Sequence, residues 1–275
     1  MKKPFIKMHG LGNDFVILDS RKNEYNLNTK YIELISNRRL GIGCDQVIEL
    51  ENSEKADIYM KIYNTDGSEA RACGNAARCI AGILFSSSPK KEVSIQTISG
   101  IIKAKSEKNG LIKVDMGEPK FFWKDIPLKK EQNKINFDKY GLKNGTAVNV
   151  GNPHIVFFVN DLKTININEI GPKIENNSLF PEKINVEFCQ IKNKNKIITQ
   201  VWERGTGRTL ACGSGACAAL VAAFKNKLTD SNAEIILEGG SLNINWNIDT
   251  DKHIIMTGPI TVSFLGDLST LGINK

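Results

Sequence analysis

One octapeptide occurs twice in this chain, and the repeat limits the fold to architectures that two copies of one unit can build. Residues 72–79 read ACGNAARC and run into IAGILF; residues 211–218 read ACGSGACA and run into LVAAF. The two stretches align without a gap, pairing Ala72 with Ala211, Cys73 with Cys212, Gly74 with Gly213, Ala77 with Ala216 and Phe85 with Phe224. Upstream, IYNTDGSEAR lies over VWERGTGRTL, so Asn64 falls opposite Glu203. Each copy sets a cysteine and a glycine at the mouth of a helix built from small residues.

The flanking pattern repeats as well. PFIKMHGLGNDFVILD reads as strand, glycine-rich turn and strand, and AVNVGNPHIVFFV takes the corresponding place in the second half. Residues 28–39 read as a helix capped at Asn28 or Thr29, with Tyr31, Ile32, Leu34 and Ile35 on its apolar face. Strands are expected at about 57–63 and in INVEFCQI and KIITQVW, a short helix at 168–174, and the two cysteine helices at about 73–85 and 212–226. Three strands follow each cysteine helix, and MGEP at 116–119 and MTGP at 256–259 close the two units alike. A chain of 275 residues exceeds the usual size of one core. The pattern therefore predicts an α+β fold of two similar domains, 1–117 and 118–258. Each is a mainly antiparallel, curled sheet around one central helix, and a pseudo-twofold relates the pair. Strands in runs do not suit a parallel Rossmann sheet, and no glycine-rich phosphate motif follows a strand in the required way.

Composition narrows the function. No apolar run reaches the roughly 18 residues needed to span a bilayer, and MKKPFIKMHG lacks a signal-peptide core. A cytoplasmic protein without a membrane partner is expected. The net charge of +7 comes from lysines scattered among asparagines and isoleucines, with no basic stripe carrying aromatics, so no nucleic-acid partner is expected. An anionic substrate would gain modestly from the field. The six cysteines do not need to form disulfides in a chain of this size and location. Spacings of C-x5-C and C-x4-C with only three histidines argue against a metal site.

A cysteine in the first turn of a helix feels unpaired N–H groups and about half a positive charge, which favours the thiolate. The same N–H groups bind a carboxylate, and Gly74–Asn75 and Gly213–Ser214 are small enough to admit one. If both helix mouths open on one substrate, one thiolate removes a proton from a carbon and the opposite thiol returns one to the other face. The backbone donors stabilise the charge that develops on the carboxylate. This chemistry needs neither metal nor pyridoxal phosphate, so no cofactor is expected. Glu203 and Arg204, adjacent and just upstream of Cys212, read either as a surface ion pair or as a clamp for an ammonium and a carboxylate. Asn64, Asn152 and Asn185 add neutral donors and acceptors suited to a small, polar ligand. Cys79, Cys189 and Cys217 read as packing residues.

The segments MHGLGNDF, GIGCDQ, NTDGSEARACGNAARC, VGNPH, INVEF and WERGTGRTLACGSGACA come in order over nearly the whole chain. In these the chain resembles the diaminopimelate epimerases. The resemblance implies cofactor-independent epimerisation of LL- to meso-diaminopimelate in lysine and peptidoglycan precursor synthesis. It makes Cys212 the group that takes the proton and Cys73 the group that donates one, with His154 and Glu203 supporting catalysis. Gly74, Asn75, Gly213 and Ser214 would hold the reacting carboxylate, and Asn13, Gln46, Asn64, Asn152, Asn185, Glu203 and Arg204 the rest of the substrate. It further implies a homodimer and a last strand, within 259–275, that returns to the first domain. Ala76, Cys44 and Arg208 depart from the usual pattern, and none removes a ligand. The rival readings are a racemase of another amino acid, such as histidine, on the same scaffold, and a non-catalytic thiol-redox or metal-binding protein.

Overall fold

Two small-residue helices organise the architecture, each packed against strands of its own unit. The structure, a computed structural model, describes residues 2–132 and 134–271. The chain divides into two units, one formed by residues up to Val114 and from Gly258 on, the other by Asp115–Thr257.

The first unit begins with β1 (Pro4–Gly10) and β2 (Asn13–Asp19), followed by α1 (Thr29–Ser36), β3 (Gln46–Glu51), β4 (Ile58–Asn64) and β5 (Glu69–Ala70). Then come α2 (Gly74–Ser87), β6 (Glu92–Thr97), β7 (Gly100–Ser106) and β8 (Ile112–Asp115). β1 and β2 are antiparallel, β2 and β3 parallel, β3 and β4 antiparallel, β4 and β6 parallel, and β6, β7 and β8 antiparallel in turn. α2 packs on β1, β6 and β7. α1 starts where the sequence says it should: the Asn28 side chain accepts from the Tyr31 N–H. Tyr31, Ile32 and Ile35 then bury against Phe5, Val16 and Val47.

The second unit contains β9 (Ile135–Phe137), β10 (Leu142–Asn149), β11 (Pro153–Phe158), α3 (Ile167–Glu175), β12 (Asn185–Asn193) and β13 (Lys196–Glu203). β14 (Gly207–Thr209), α4 (Gly213–Lys225), β15 (Asn232–Leu237), β16 (Gly240–Trp246) and β17 (Ile254–Gly258) complete it. From β10 to β17 the pairing senses follow those from β1 to β8, with parallel pairs at β11–β12 and β13–β15. One sheet face carries Ile155, Phe157, Val186, Phe188, Ile198 and Trp202 into a core closed by α3. The alternate residues of the same strands lie on the face against α4, as the period of two in a strand requires. Residues 168–174, expected as a short helix, lie within α3.

The last strand, β18 (Thr261–Asp267), runs antiparallel to β1. Residues 272–275 of the expected return fall outside the described residues.

A chain of charges ties the first β-turn to the loop before β3. Lys7 Nζ donates to Asp14 at 2.6 Å and to the Gly43 carbonyl. Arg38 grips both oxygens of Asp14 at 3.0 and 2.7 Å and reaches Asp45 at 2.8 Å. Burial pushes the Asp14 carboxyl up, but the bonds from Arg38 and Lys7 outweigh it and bring it from 3.8 to about 2. A depressed carboxylate gives stability that is present above its unfolded value near 3.8 and lost as pH falls through about 2. Asp14→Asn leaves Lys7 buried without its anion, so the thermal midpoint at pH 7 should fall by about 5–10 °C. The variant's midpoint should also depend less on pH between 5 and 2 than the wild type's. Thermal melts across that range check both; an unchanged midpoint at pH 7 would contradict the assignment.

Candidate functional site

Cys73 is the N-cap of α2 and Cys212 the N-cap of α4, and both have extended backbone there. The cysteines thus stand just ahead of the first helical turn. Their surroundings differ.

In the first unit Cys73 is partly exposed, and its thiol points to Asn13 Oδ1 at 3.9 Å. Asn75 Nδ2 donates to the same oxygen at 3.1 Å. Asn13 is held from the other side, because its Nδ2 donates to Asp45 at 3.0 Å. The Lys7–Asp14–Arg38–Asp45 chain therefore sets which end of the Asn13 amide meets the thiol. Asn75 in turn accepts from Arg78, a fully buried guanidinium, at 2.8 Å. Gln46 Nε2 donates to Asn64 Oδ1 at 3.1 Å across paired positions of β3 and β4. Gly74 opens the helix. Of the six residues expected of this half, Asn13, Cys73 and Asn75 form one hydrogen-bonded group at the helix mouth and Gln46 and Asn64 another at strand ends, while Gly74 is the first residue of the helix.

In the second unit Cys212 is buried. Its Sγ accepts from the Gly215 N–H at 3.3 Å and lies 3.4 Å from Ser214 Oγ. A Cβ on Gly215 would stand 3.3 Å from that sulfur and 2.8 Å from Glu187 Oε1, so glycine is needed to leave room between them. Glu203 accepts a short hydrogen bond from Thr209 Oγ1. His154 is the second residue of β11 and is fully buried. Its Nδ1 lies 2.7 Å from Glu187 Oε1 and its Nε2 2.8 Å from the Asn152 amide. Asn185 Nδ2 donates to the Pro153 carbonyl at 2.7 Å, and its Oδ1 accepts the Arg204 N–H at 2.9 Å. The Arg204 side chain is exposed and donates to the Glu182 carbonyl at 3.0 Å.

The electrostatics of Cys212 run against the expectation of a thiolate favoured by a helix end. Burial, then the charges of Glu203 and Glu187, push its thiol well above the ordinary value, and the bonds from Ser214 and Gly215 only partly offset them. The helix mouth is outweighed because the sulfur is out of water and flanked by carboxylates. Burial also raises the Glu203 carboxyl, against the Thr209 hydroxyl, the His154 ring and the Cys212 thiol. Thiol and carboxyl are therefore both shifted toward their protonated forms. Burial likewise pushes Cys44 up to about 11 and Cys79 to about 12, which suits inert packing groups. Cys189 is raised too and contacts Thr199 at 3.4 Å. Among the described residues no group of three or more His, Cys, Asp or Glu side chains is arranged to hold a metal ion, and no helix is long and apolar enough to cross a membrane.

Three site neighbours escaped the sequence reading: Glu187, Gly215 and Arg78. Arg78 stands where the repeat has Cys217, and a polar residue in an otherwise small-sided helix was the available signal.

The fold recurs in solved structures of low sequence identity. A phenazine biosynthesis protein of the PhzF family from Bacillus anthracis superposes with a TM-score of 0.69 at 17% identity, over 97% of this chain and 99% of that one. A hydroxyproline epimerase from Agrobacterium vitis gives 0.69 at 13%, over 97% and 90%. These likenesses concern the fold. Sequence defines the class: this is an isomerase, an amino-acid epimerase. The profile of the family described as diaminopimelate epimerase matches residues 5–122 and 146–263, and the chain belongs to that family. The diaminopimelate epimerase of Acidiphilium cryptum is 44% identical over 268 residues, covering 97% of this chain and 96% of that one. That of Pelagibacter ubique is 45% identical over 262 residues, covering 93% and 94%.

Glu203→Gln removes one of the two charges that raise Cys212. The thiol should ionise at lower pH and, at pH 8, react with iodoacetamide about 3–10-fold faster. Mass spectrometry of the Cys212 peptide over time checks this. An unchanged or slower rate would show that Glu203 does not act on the sulfur.

Proposed function

We propose that this chain converts LL-2,6-diaminopimelate to meso-diaminopimelate without a cofactor, using Cys212 and Cys73 as its acid/base pair. The observation that carries the reading is the repeat itself. The family profile matches both halves, and each half sets a cysteine at the N-cap of its buried helix beside amide donors.

In the mechanism we infer, Glu203 takes the thiol proton of Cys212, a transfer helped by the raised proton affinity of the buried carboxyl. The Cys212 thiolate then removes the α-proton from the LL substrate and becomes a thiol again. The electron pair left on carbon spreads into the α-carboxylate, which the first-turn N–H groups and the Asn75 and Ser214 side chains hold. Cys73 gives its thiol proton to the opposite face of that carbon and is left as thiolate. Two proton carriers, one per face, account for inversion without a group that must swing between faces. His154, fixed beside Glu203, helps balance the charge.

Asn13, Gln46, Asn64, Asn152, Asn185, Glu203 and Arg204 are assigned to the rest of the substrate. Arg204 suits a second carboxylate, because its guanidinium is exposed and engages only a backbone carbonyl among the described residues. That favours diaminopimelate over an amino acid with one carboxylate. The place of the reaction, in lysine and peptidoglycan precursor synthesis, follows from this substrate. We assign the working form as a cytoplasmic homodimer, as the family resemblance implies.

Cys73→Ala and Cys212→Ala should each lower kcat by about 10^2–10^4-fold, the usual range for losing a general acid or base. Assay with LL-diaminopimelate decides; near-normal turnover in either variant would end the two-thiol mechanism. Arg204→Lys should raise KM about 10-fold, since an ammonium cannot make the planar two-point contact. An unchanged KM would remove Arg204 from the site.

A further inference from the structure

We propose that Glu187 is a positioning residue of the reaction: it holds the Nδ1–H of His154 and so fixes the imidazole against Asn152 and the Cys212 pocket. The inference rests on the proposed epimerase mechanism for its kinetic consequence, while its structural content stands apart from it.

Four observations lead to it. First, Glu187 and His154 are both fully buried and meet at 2.7 Å. An ionised carboxylate only accepts hydrogen bonds, so Nδ1 must be the donor, and Nε2 is left to the Asn152 amide. Second, Glu187 Oε2 has no hydrogen-bond partner among the described residues. The carboxylate therefore leans on the single bond from His154, and neither group is tolerable in the interior without the other. Third, Glu187 Oε1 and Cys212 Sγ line the same space above Gly215.

The fourth comes from the repeat. In the parallel pair β11–β12, His154 lies opposite Asn185 and Val156 opposite Glu187. In the parallel pair β2–β3, Phe15 lies opposite Gln46 and Ile17 opposite Ile48. His154 and Glu187 thus occupy the positions that Phe15 and Ile48 fill in the first unit, where both are fully buried and apolar. The unit folds with two hydrocarbons at these places. The second unit replaces both at once with a hydrogen-bonded polar pair beside a cysteine, although burying polar groups costs stability. Packing does not call for that exchange; chemistry at Cys212 does. The ring orientation of a functional histidine is commonly set by a carboxylate on its far nitrogen, and losing such a partner costs about 10–100-fold in function.

The test uses the full chain with 15N-labelled histidine. Proton NMR should show a downfield imidazole N–H resonance that disappears in His154→Asn and moves upfield in Glu187→Gln. With LL-diaminopimelate, Glu187→Gln should lower kcat about 10–100-fold with KM within about 3-fold. The double variant H154F/E187I, which copies the first unit's pair, should fold with a thermal midpoint at or above the wild type's and be inactive. Glu187→Gln with wild-type kcat and an unmoved resonance would overturn the assignment. So would a double variant that turns over normally. A wild-type protein inactive on LL-diaminopimelate would instead overturn the proposed function, and the resonance would still decide the role of Glu187.

Discussion

Burying a helix against the strands of its own unit is the constraint from which the site follows. Ten of the 13 residues of α4 are buried, and eight of them are Gly, Ala or Cys, at 213, 215–219, 222 and 223. A helix enclosed on most sides cannot carry large side chains everywhere and still touch strands around it. α2 meets the same demand at Gly82, where a Cβ would come within 2.1 Å of Ile260. With the helix body filled by small residues, the only place left for chemistry is its mouth. There the backbone N–H groups have no partners within the helix, and a thiol at the N-cap sits beside them.

The same frame is then given two electrical characters. Around Cys73 the neighbours are amides, Asn13 and Asn75, steadied by charges one step removed at Asp45 and Arg78. Around Cys212 they are carboxylates, Glu203 and Glu187, with His154 between strands. The register of each unit puts these groups at matching places: Gln46 faces Asn64 as Asn185 lies beside Glu203's strand. The repeat supplies matching positions, and only the second copy carries carboxylates and a histidine there. A thiol among amides and a thiol among carboxylates are suited to different halves of a proton transfer, so the asymmetry is chemical rather than architectural.

Much of this was legible in the sequence because it is local. Small residues after A-C-G mark a buried helix; Asn28 marks the cap of α1; runs of alternating strands mark antiparallel sheets. The cysteines, Asn64 and Glu203 stood out through the repeat. What stayed hidden depends on which face of a strand is covered. INVEFCQI alternates polar and apolar residues, and nothing in the stretch itself says that the face carrying Glu187 is covered. That face is pressed against α4, so Glu187 is fully buried. The thiol environment was hidden for the same reason. A helix end suggests an acidic thiol, but the carboxylates that outweigh it come from strands distant in sequence.

Isotope exchange with solvent tests the central claim most directly. In the first turnovers of LL-diaminopimelate in deuterated water, the meso product should carry deuterium at one α-carbon while unreacted LL substrate stays unlabelled. That pattern follows if one thiol keeps the substrate's proton and another delivers a solvent-derived one. Deuterium appearing in unreacted LL substrate as fast as in product would mean a single group serves both faces, and would contradict the account.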